Sequence, residues 1–162
     1  MASAYNNVSE MIEDLGYLQE ELEALKYVIP AVPYSERPPG AVSILDMIGR
    51  LKEQQERYYR PLIQNMVRSD SDQEVSWVDD KFQVADDTDM EELLNKTIKK
   101  RSSYVHFLRQ VPERKWEVTA DPDGQGKRRV AELLREHIEF ERRQLKEVAD
   151  IVMTLDPSRK TS

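Results

Sequence analysis

Apolar residues recur at three- and four-residue spacing in four stretches of the chain, and this periodicity predicts four amphipathic helices. The first predicted helix is Val8–Val28. Asn7 and Glu10 give it a start that resembles a capping box, and Pro30 ends it because proline interrupts helical hydrogen bonding. Its apolar face consists of Met11, Ile12, Leu15, Leu18, Leu22, Leu25 and Ile29.

The second predicted helix spans residues 43–66 and begins at another capping-box pattern, Ser43 with Asp46. Pro61 lacks a backbone N–H, so we expect a kink in the last turns of this helix. Its inward face consists of Ile44, Ile48, Leu51, Gln55, Tyr58 and Leu62, with Leu45 and Met47 at the edges.

The third predicted helix spans residues 88–111, with Thr88 and Glu91 as its capping box and Pro112 as its stop signal. A turn rich in aspartate and glycine follows. The fourth predicted helix then spans residues 126–155, and its apolar face includes Val130, Leu134, Ile138, Leu145, Val148 and Val152.

Two long links connect the first three helices, an irregular one that includes residues 34–40 and a polar one at residues 68–87. The second link also contains Trp77, Val78, Phe82 and Val84, so we expect it to dock a few apolar side chains on the helices, with a short hairpin as an alternative. The pattern predicts an all-α fold, a four-helix bundle in a single domain over residues 1–162. Links of this length leave room for crossing connections.

Composition narrows the classes of function. The chain has 162 residues, a formal charge of −7 and no dominant basic block, which argues against a nucleic-acid partner. It contains no cysteine, which excludes disulfides, thiolate metal sites and a thiol nucleophile of its own. No apolar run approaches the roughly 20 residues of a membrane span, and the first residues lack signal-peptide features. We therefore expect no membrane partner and a cytoplasmic location.

Polar residues interrupt the apolar faces of three helices. Gln55 lies on the second face, Thr97 and Arg101 on the third, and His137 and Glu141 on the fourth. A charge buried in a helical core is costly unless it is paired. The sequence therefore predicts that Arg101 pairs with Glu141 inside the protein.

This internal group has two interpretations. It could be a hydrogen-bond network that sets helix register, or a polar pocket that binds a metal or a small ligand. His137 and Glu141 are one turn apart on one helix face, so both could contact the same ligand. His106 points away from the apolar face, and we expect it at the surface.

Two segments resemble motifs of the DinB-like (damage-inducible) four-helix proteins. Residues 137–145, HIEFERRQL, are similar to a C-terminal motif of two histidines four apart with a glutamine three residues after the second. Residues 43–51, SILDMIGRL, are similar to the second helix of that family, which reads serine, apolar residues, then His-Leu. Trp116 and the glycine-containing turn also suit the approach to the family's last helix.

The resemblance implies a four-helix bundle, often a homodimer, with a divalent metal held by three histidines. Some members of the family transfer a low-molecular-weight thiol, and a relative isomerises maleylpyruvate with such a thiol. In this chain the three ligand positions correspond to Arg50, His137 and Glu141. Glutamate can bind zinc or nickel, whereas arginine offers no lone pair, so the metal triad is incomplete.

We therefore expect a DinB-like protein that is metal-free or binds metal weakly through His137 and Glu141. Its internal Arg/His/Glu pocket would bind a small ligand or a partner, and homodimerisation is expected. The candidate pocket residues are Arg50, Gln55, Thr97, Arg101, His137 and Glu141. The alternative is a metal-dependent transferase that uses a low-molecular-weight thiol, with zinc or nickel as its cofactor. Trp77, Phe82 and Trp116 could serve the dimer or simply cap the helices.

Overall fold

Helices dominate the computed structural model, which describes residues 7–121 and 123–155. The helices are α1 (Val8–Val28), α2 (Ile44–Gln54), α3 (Arg60–Val67), α4 (Met90–Arg109) and α5 (Val130–Leu155). A short 3₁₀ helix, Ile29–Ala31, follows α1, and another, Glu113–Glu117, follows α4. Within these ranges the only strands are β1 (Thr119–Ala120) and β2 (Arg128–Arg129), which pair antiparallel. The prediction of an all-α chain is confirmed.

The second predicted helix is continuous, but a π-helical turn, Gln55–Tyr59, joins α2 to α3. Arg60 N donates to the Gln55 carbonyl five residues earlier. Because Pro61 has no N–H, the Arg57 carbonyl loses its usual partner four residues on. Ser76 N, from the long loop, donates to that carbonyl at 2.9 Å. The expected proline kink therefore takes the form of a widened turn that binds the loop.

The predicted starts of the third and fourth helices were wrong by a few residues. Asp89, not Thr88, caps α4, because its side chain accepts a hydrogen bond from Glu92 N at 2.8 Å. The fourth helix begins at Val130 rather than at residue 126. Before it, Gly126 adopts a φ of 111°, and the chain then pairs as β2 with β1. Glycine tolerates this conformation, which a helix excludes.

The apolar faces meet as the periodicity predicts. Helix α1 packs against α4 and α5, α2 packs against the same two helices, and α3 packs against α5. The most deeply buried apolar residues from the four predicted faces include Leu15, Leu22, Ile48, Leu62, Leu94, Leu108, Val130, Leu134, Ile138 and Val148. This shared core fixes the positions of the polar residues that interrupt each face.

The loop at residues 68–87 docks on α2, and the described residues form no hairpin there. Gln54, fully buried, accepts a hydrogen bond from Val78 N at 2.9 Å and donates one to Val78 O at 3.0 Å. Gly49 allows the close approach, because a Cβ atom there would overlap the Val84 side chain and lie 3.2 Å from Phe82 Cε2. The expectation that this link docks apolar residues is confirmed by Val78, which is buried.

Asp46 fastens both links to the start of α2. The predicted capping box with Ser43 is present, and Asp46 Oδ1 also accepts from Val84 N at 2.9 Å. Arg37 donates to both oxygens of Asp46, at 2.8 and 2.9 Å. Burial alone would raise the pKa of Asp46, but Arg37 and the backbone N–H groups lower it to about 2. Asp46 is therefore an ionised anchor.

No helix within residues 7–121 and 123–155 combines the length and apolar character that crossing a membrane requires.

Candidate functional site: a buried polar cluster and its surroundings

Arg101 stands at the centre of a polar cluster inside the protein. Its Nη2 donates to Glu141 Oε2, and its Nε donates to Gln55 Oε1 at 2.8 Å. Its Nη1 donates to the backbone carbonyl of Leu15 at 3.2 Å. One guanidinium thus connects α1, the π turn, α4 and α5. The three polar side chains are each at most 2% exposed.

His137 adjoins this cluster from α5. Its Nδ1 lies 3.1 Å from the Tyr104 hydroxyl, and its ring stacks on Tyr59 with centroids 4.3 Å apart. Its Nε2 lies 2.9 Å from Glu141 Oε2, although this contact lacks the geometry of a hydrogen bond. Burial lowers the pKa of His137, and the opposing effect of Glu141 does not overcome it. The imidazole is therefore neutral near pH 7.

Glu141 carries the negative charge of the cluster. Burial would raise its pKa, but the Arg101 guanidinium lowers it, so the carboxylate is ionised. Its Oε1 has no hydrogen-bond partner in the described protein. A buried polar atom without a partner weakens the network, because its desolvation is not compensated. Chemically, the cluster is a paired cation and anion beside a neutral base.

Two candidate residues make their contacts elsewhere. Thr97 is buried, but its hydroxyl donates to Leu93 O within α4 at 2.7 Å. Arg50 is only partly buried, and its Nε donates to Val78 O at 3.0 Å. Its guanidinium carbon lies 5.1 Å from the ring centroid of Phe140. The structure therefore brings together Gln55, Arg101, His137 and Glu141 from the predicted set.

A layer of aromatic rings connects Arg50 with the buried cluster. Phe140 contacts the Tyr59 ring at a centroid distance of 6.2 Å, and Tyr59 stacks on His137. Trp77 contacts Phe140 and Tyr59 at 5.9 and 6.4 Å. These rings fill the space between the position of Arg50 and the imidazole.

The residues present do not fit the three-ligand divalent metal that the DinB resemblance implies. Arg101 Nη2 already donates to Glu141 Oε2, and the guanidinium beside this carboxylate repels a metal ion. Arg50 offers no lone pair and is held by a loop carbonyl. Across the described residues, no group of three or more histidine or carboxylate side chains converges as metal ligands would. Of the three ligand positions that the resemblance implies, His137 and Glu141 contact each other, whereas Arg50 is held at the loop.

Tyr104 and Tyr59 are members of the site that sequence reasoning missed. Tyr104 follows Arg101 by three residues on the same helix face, and this spacing could have indicated its contact with the cluster. Tyr59 carried no such signal, because ordinary helical spacing turns it away from Tyr58. The π turn brings the rings of Tyr58 and Tyr59 inward, and these residues are 8% and 3% exposed.

The other residues that the sequence placed at the surface or over the ends of the helices are His106 and three aromatic residues. His106 is exposed, as predicted. Trp116 is buried against the helices and Phe82 is half-buried, so both cap the core. Trp77 remains 52% exposed although it contacts other rings.

Comparison of this chain with protein-family models, with curated proteins and with solved structures finds no match.

Proposed function

We propose that this chain is a DinB-like four-helix bundle that functions without a catalytic metal and binds a small ligand or a partner. The ion pair of Arg101 with Glu141 is the observation that carries the proposal. A guanidinium supplies, inside the protein, the positive charge that a metal would supply in a three-histidine site. The order of the four long helical segments and the position of His137 on the last one are in keeping with this family.

The burial of the cluster supports a structural role for it rather than a catalytic one. Arg101, His137 and Glu141 are closed off from solvent, and Arg101 contacts every long helical segment. Groups that act on a substrate need access to it. Ligand binding by the internal pocket itself stays a prediction from the sequence; because the cluster is closed off, our proposal places the ligand at the surface around it.

The alternative function is a metal-dependent transferase that uses a low-molecular-weight thiol. One observation favours it, since His137 Nε2 and Glu141 Oε1 are both buried without hydrogen-bond partners, on side chains that contact each other through Glu141 Oε2. Zinc or nickel would need Arg101 to withdraw and a further ligand to enter. The metal-free proposal requires neither change.

Homodimerisation and a cytoplasmic location complete the proposal. Exposed apolar side chains on α1 and α5, including Tyr17, Tyr27 and Met153, support a subunit contact. Sedimentation of the purified chain measures the oligomeric state directly.

Metal analysis tests the proposal. The protein is purified without a histidine tag and its metal content is measured before and after soaking in zinc or nickel. We expect well under one equivalent per chain, and we expect chelator to leave the melting temperature unchanged. About one equivalent that disappears in His137→Gln, while His106→Gln retains it, would overturn the proposal in favour of the transferase.

A further inference from the structure

A cleft of about 400 Å³ opens beside Arg50, between α2, α5 and the docked loop. Its apolar walls are formed by Met47, Trp77, Phe82 and Phe140. Met47 and Phe140 are buried, whereas Trp77 is half-exposed. The cleft therefore presents flat ring surfaces that are still accessible to a molecule from solvent.

The guanidinium of Arg50 is held in place but is not neutralised. Its Nε donates to Val78 O, and its carbon lies 5.1 Å and 5.9 Å from the ring centroids of Phe140 and Trp77. Both Nη atoms are free of hydrogen bonds to described residues, and no described carboxylate lies within 4.0 Å. Burial lowers the pKa of Arg50, which reflects a cation without sufficient compensation. The two Nη atoms form the end of the guanidinium fork that fits a carboxylate.

Arg143 and Gln144 place further donors in the same cleft. With Phe140 they follow helical spacing, so one face of α5 provides a ring, a cation and an amide. Within the described chain no carboxylate pairs with Arg143, whereas its neighbour Arg142 contacts Asp14. Two unpaired arginines thus line one cleft of a chain whose net charge is −7.

The acids of the cleft do not neutralise these arginines. Asp46 lines the cleft, but its oxygens are already occupied by Arg37 and by backbone N–H groups. Asp80 and Glu147 are exposed at the rim and are not ion-paired with Arg50. Their negative charges raise the pKa of Arg50, which favours its protonated form, but they do not occupy its Nη atoms.

We propose that this cleft binds a small organic carboxylate with a planar apolar body. The carboxylate accepts hydrogen bonds from Arg50, with Arg143 as a second cation, and the planar body lies against Trp77 and Phe140. This inference rests on the proposed binding function and names its ligand class and its site. It assigns recognition to the cleft rather than to the buried Arg101 cluster.

Benzoate is the probe, with benzyl alcohol and benzylamine as neutral and cationic analogues of similar shape. Binding is measured by calorimetry and by the amide NMR signals of residues 76–82. We expect saturable binding of benzoate only. Arg143→Gln should weaken it several-fold, and Arg50→Gln about tenfold or more, because each variant removes a charged hydrogen bond. Arg114→Gln, an exposed arginine outside the cleft, should bind as the original protein does.

Arg143→Gln keeps the test valid if Arg50→Gln disturbs the loop, since the hydrogen bonds to Val78 O come from Arg50 and Gln54. No saturation up to about 10 mM benzoate would overturn the inference, because affinity would then be below the useful range for such a site. Preference for benzylamine, or equal binding by both arginine variants and the original protein, would overturn it as well. If benzoate does not bind and the protein contains no metal, only the proposed ligand class is refuted. Benzoate binding that chelator abolishes refutes the metal-free proposal.

Discussion

Arg101 and Glu141 come from helices distant in sequence and form an ion pair in which each residue is at most 1% exposed. Removing one partner leaves the other charge buried and unpaired. We therefore expect Glu141→Ala to lower the free energy of unfolding by about 3–5 kcal/mol. Urea denaturation measures this change. Glu139→Ala, an exposed neighbour on α5, is the control and should change stability by no more than about 0.5 kcal/mol.

The double variant Arg101→Met, Glu141→Leu separates lost charge pairing from lost packing. Because it removes both charges and fills the space with apolar atoms, it should be markedly more stable than Glu141→Ala. Equal losses for the single and double variants would show that the pair does not act through its charges.

Stability should fall as pH decreases below about 6.5, because His137 is neutral in the folded protein. Burial lowers its pKa from 6.5, so the unfolded chain takes up a proton at a pH where the folded chain does not. The contribution of His137 is fully present above the unfolded pKa and is lost as pH falls towards the folded one. Its slope is at most about 1.4 kcal/mol per pH unit.

Thermal melts between pH 5 and 7 test this prediction. The window includes the ordinary pKa of histidine, 6.5, and lies above the ordinary pKa of glutamate, 4.5. Glu141, whose pKa is lowered from 4.5, adds its own loss only at more acidic pH. His137→Gln should flatten the dependence of melting temperature on pH in this window, whereas His106→Gln should leave it unchanged. A flat profile for the original protein would contradict a buried neutral imidazole.

Gly49→Ala should destabilise the protein although alanine favours helices. The added Cβ would overlap Val84, so the loop must move or α2 must bend, at a cost of about 1–3 kcal/mol. Gly16→Ala, within α1 and with no atom within 4 Å of the new Cβ, should instead stabilise by about 0.5–1 kcal/mol. Denaturation midpoints of the two variants should therefore move in opposite directions. Adding Val84→Ala to Gly49→Ala should restore part of the loss.

Gln54→Leu should release the loop around Val78. The substitution leaves Val78 N without its acceptor, at a cost of about 1–3 kcal/mol. The amide proton of Val78 should then exchange with solvent much faster, while amides in α5 keep their protection. Gln110→Leu, at an exposed position, should leave the exchange of Val78 as it is. Unchanged protection in Gln54→Leu would mean that other contacts hold the loop.

Periodicity predicted the helices and the pairing of Arg101 with Glu141, because both follow from which residues face the core. It predicted that Gln55 faces the cluster but not that Tyr59 does, since the π turn adds a residue to one helical turn. Within that turn the Arg57 carbonyl accepts from Ser76 N, a residue of the distant loop, and local sequence does not encode this contact. The starts of α4 and α5 also differ from the prediction, because Asp89 rather than Thr88 caps α4 and the chain pairs as β2 before α5 begins.

The orientation of the Arg50 side chain could not be predicted from local sequence either. Its place at the edge of its helix face left both inward and outward orientations open, and the loop decides between them through Val78 O. Sequence reasoning placed Arg50 with the buried cluster because the family resemblance put it at a ligand position. The contacts that hold it come from a segment with no regular structure.

The carbonyl of Val78 accepts hydrogen bonds from both Gln54 and Arg50. The same peptide group therefore attaches the loop to α2 and orients the guanidinium, while the next residue back, Trp77, forms a wall of the cleft. Loop attachment and cleft assembly are consequently one cooperative event, separable from the melting of the helices. Some molecules can therefore keep every helix and still lose the cleft. The fraction of molecules that bind ligand in the cleft would then report how often this loop opens locally.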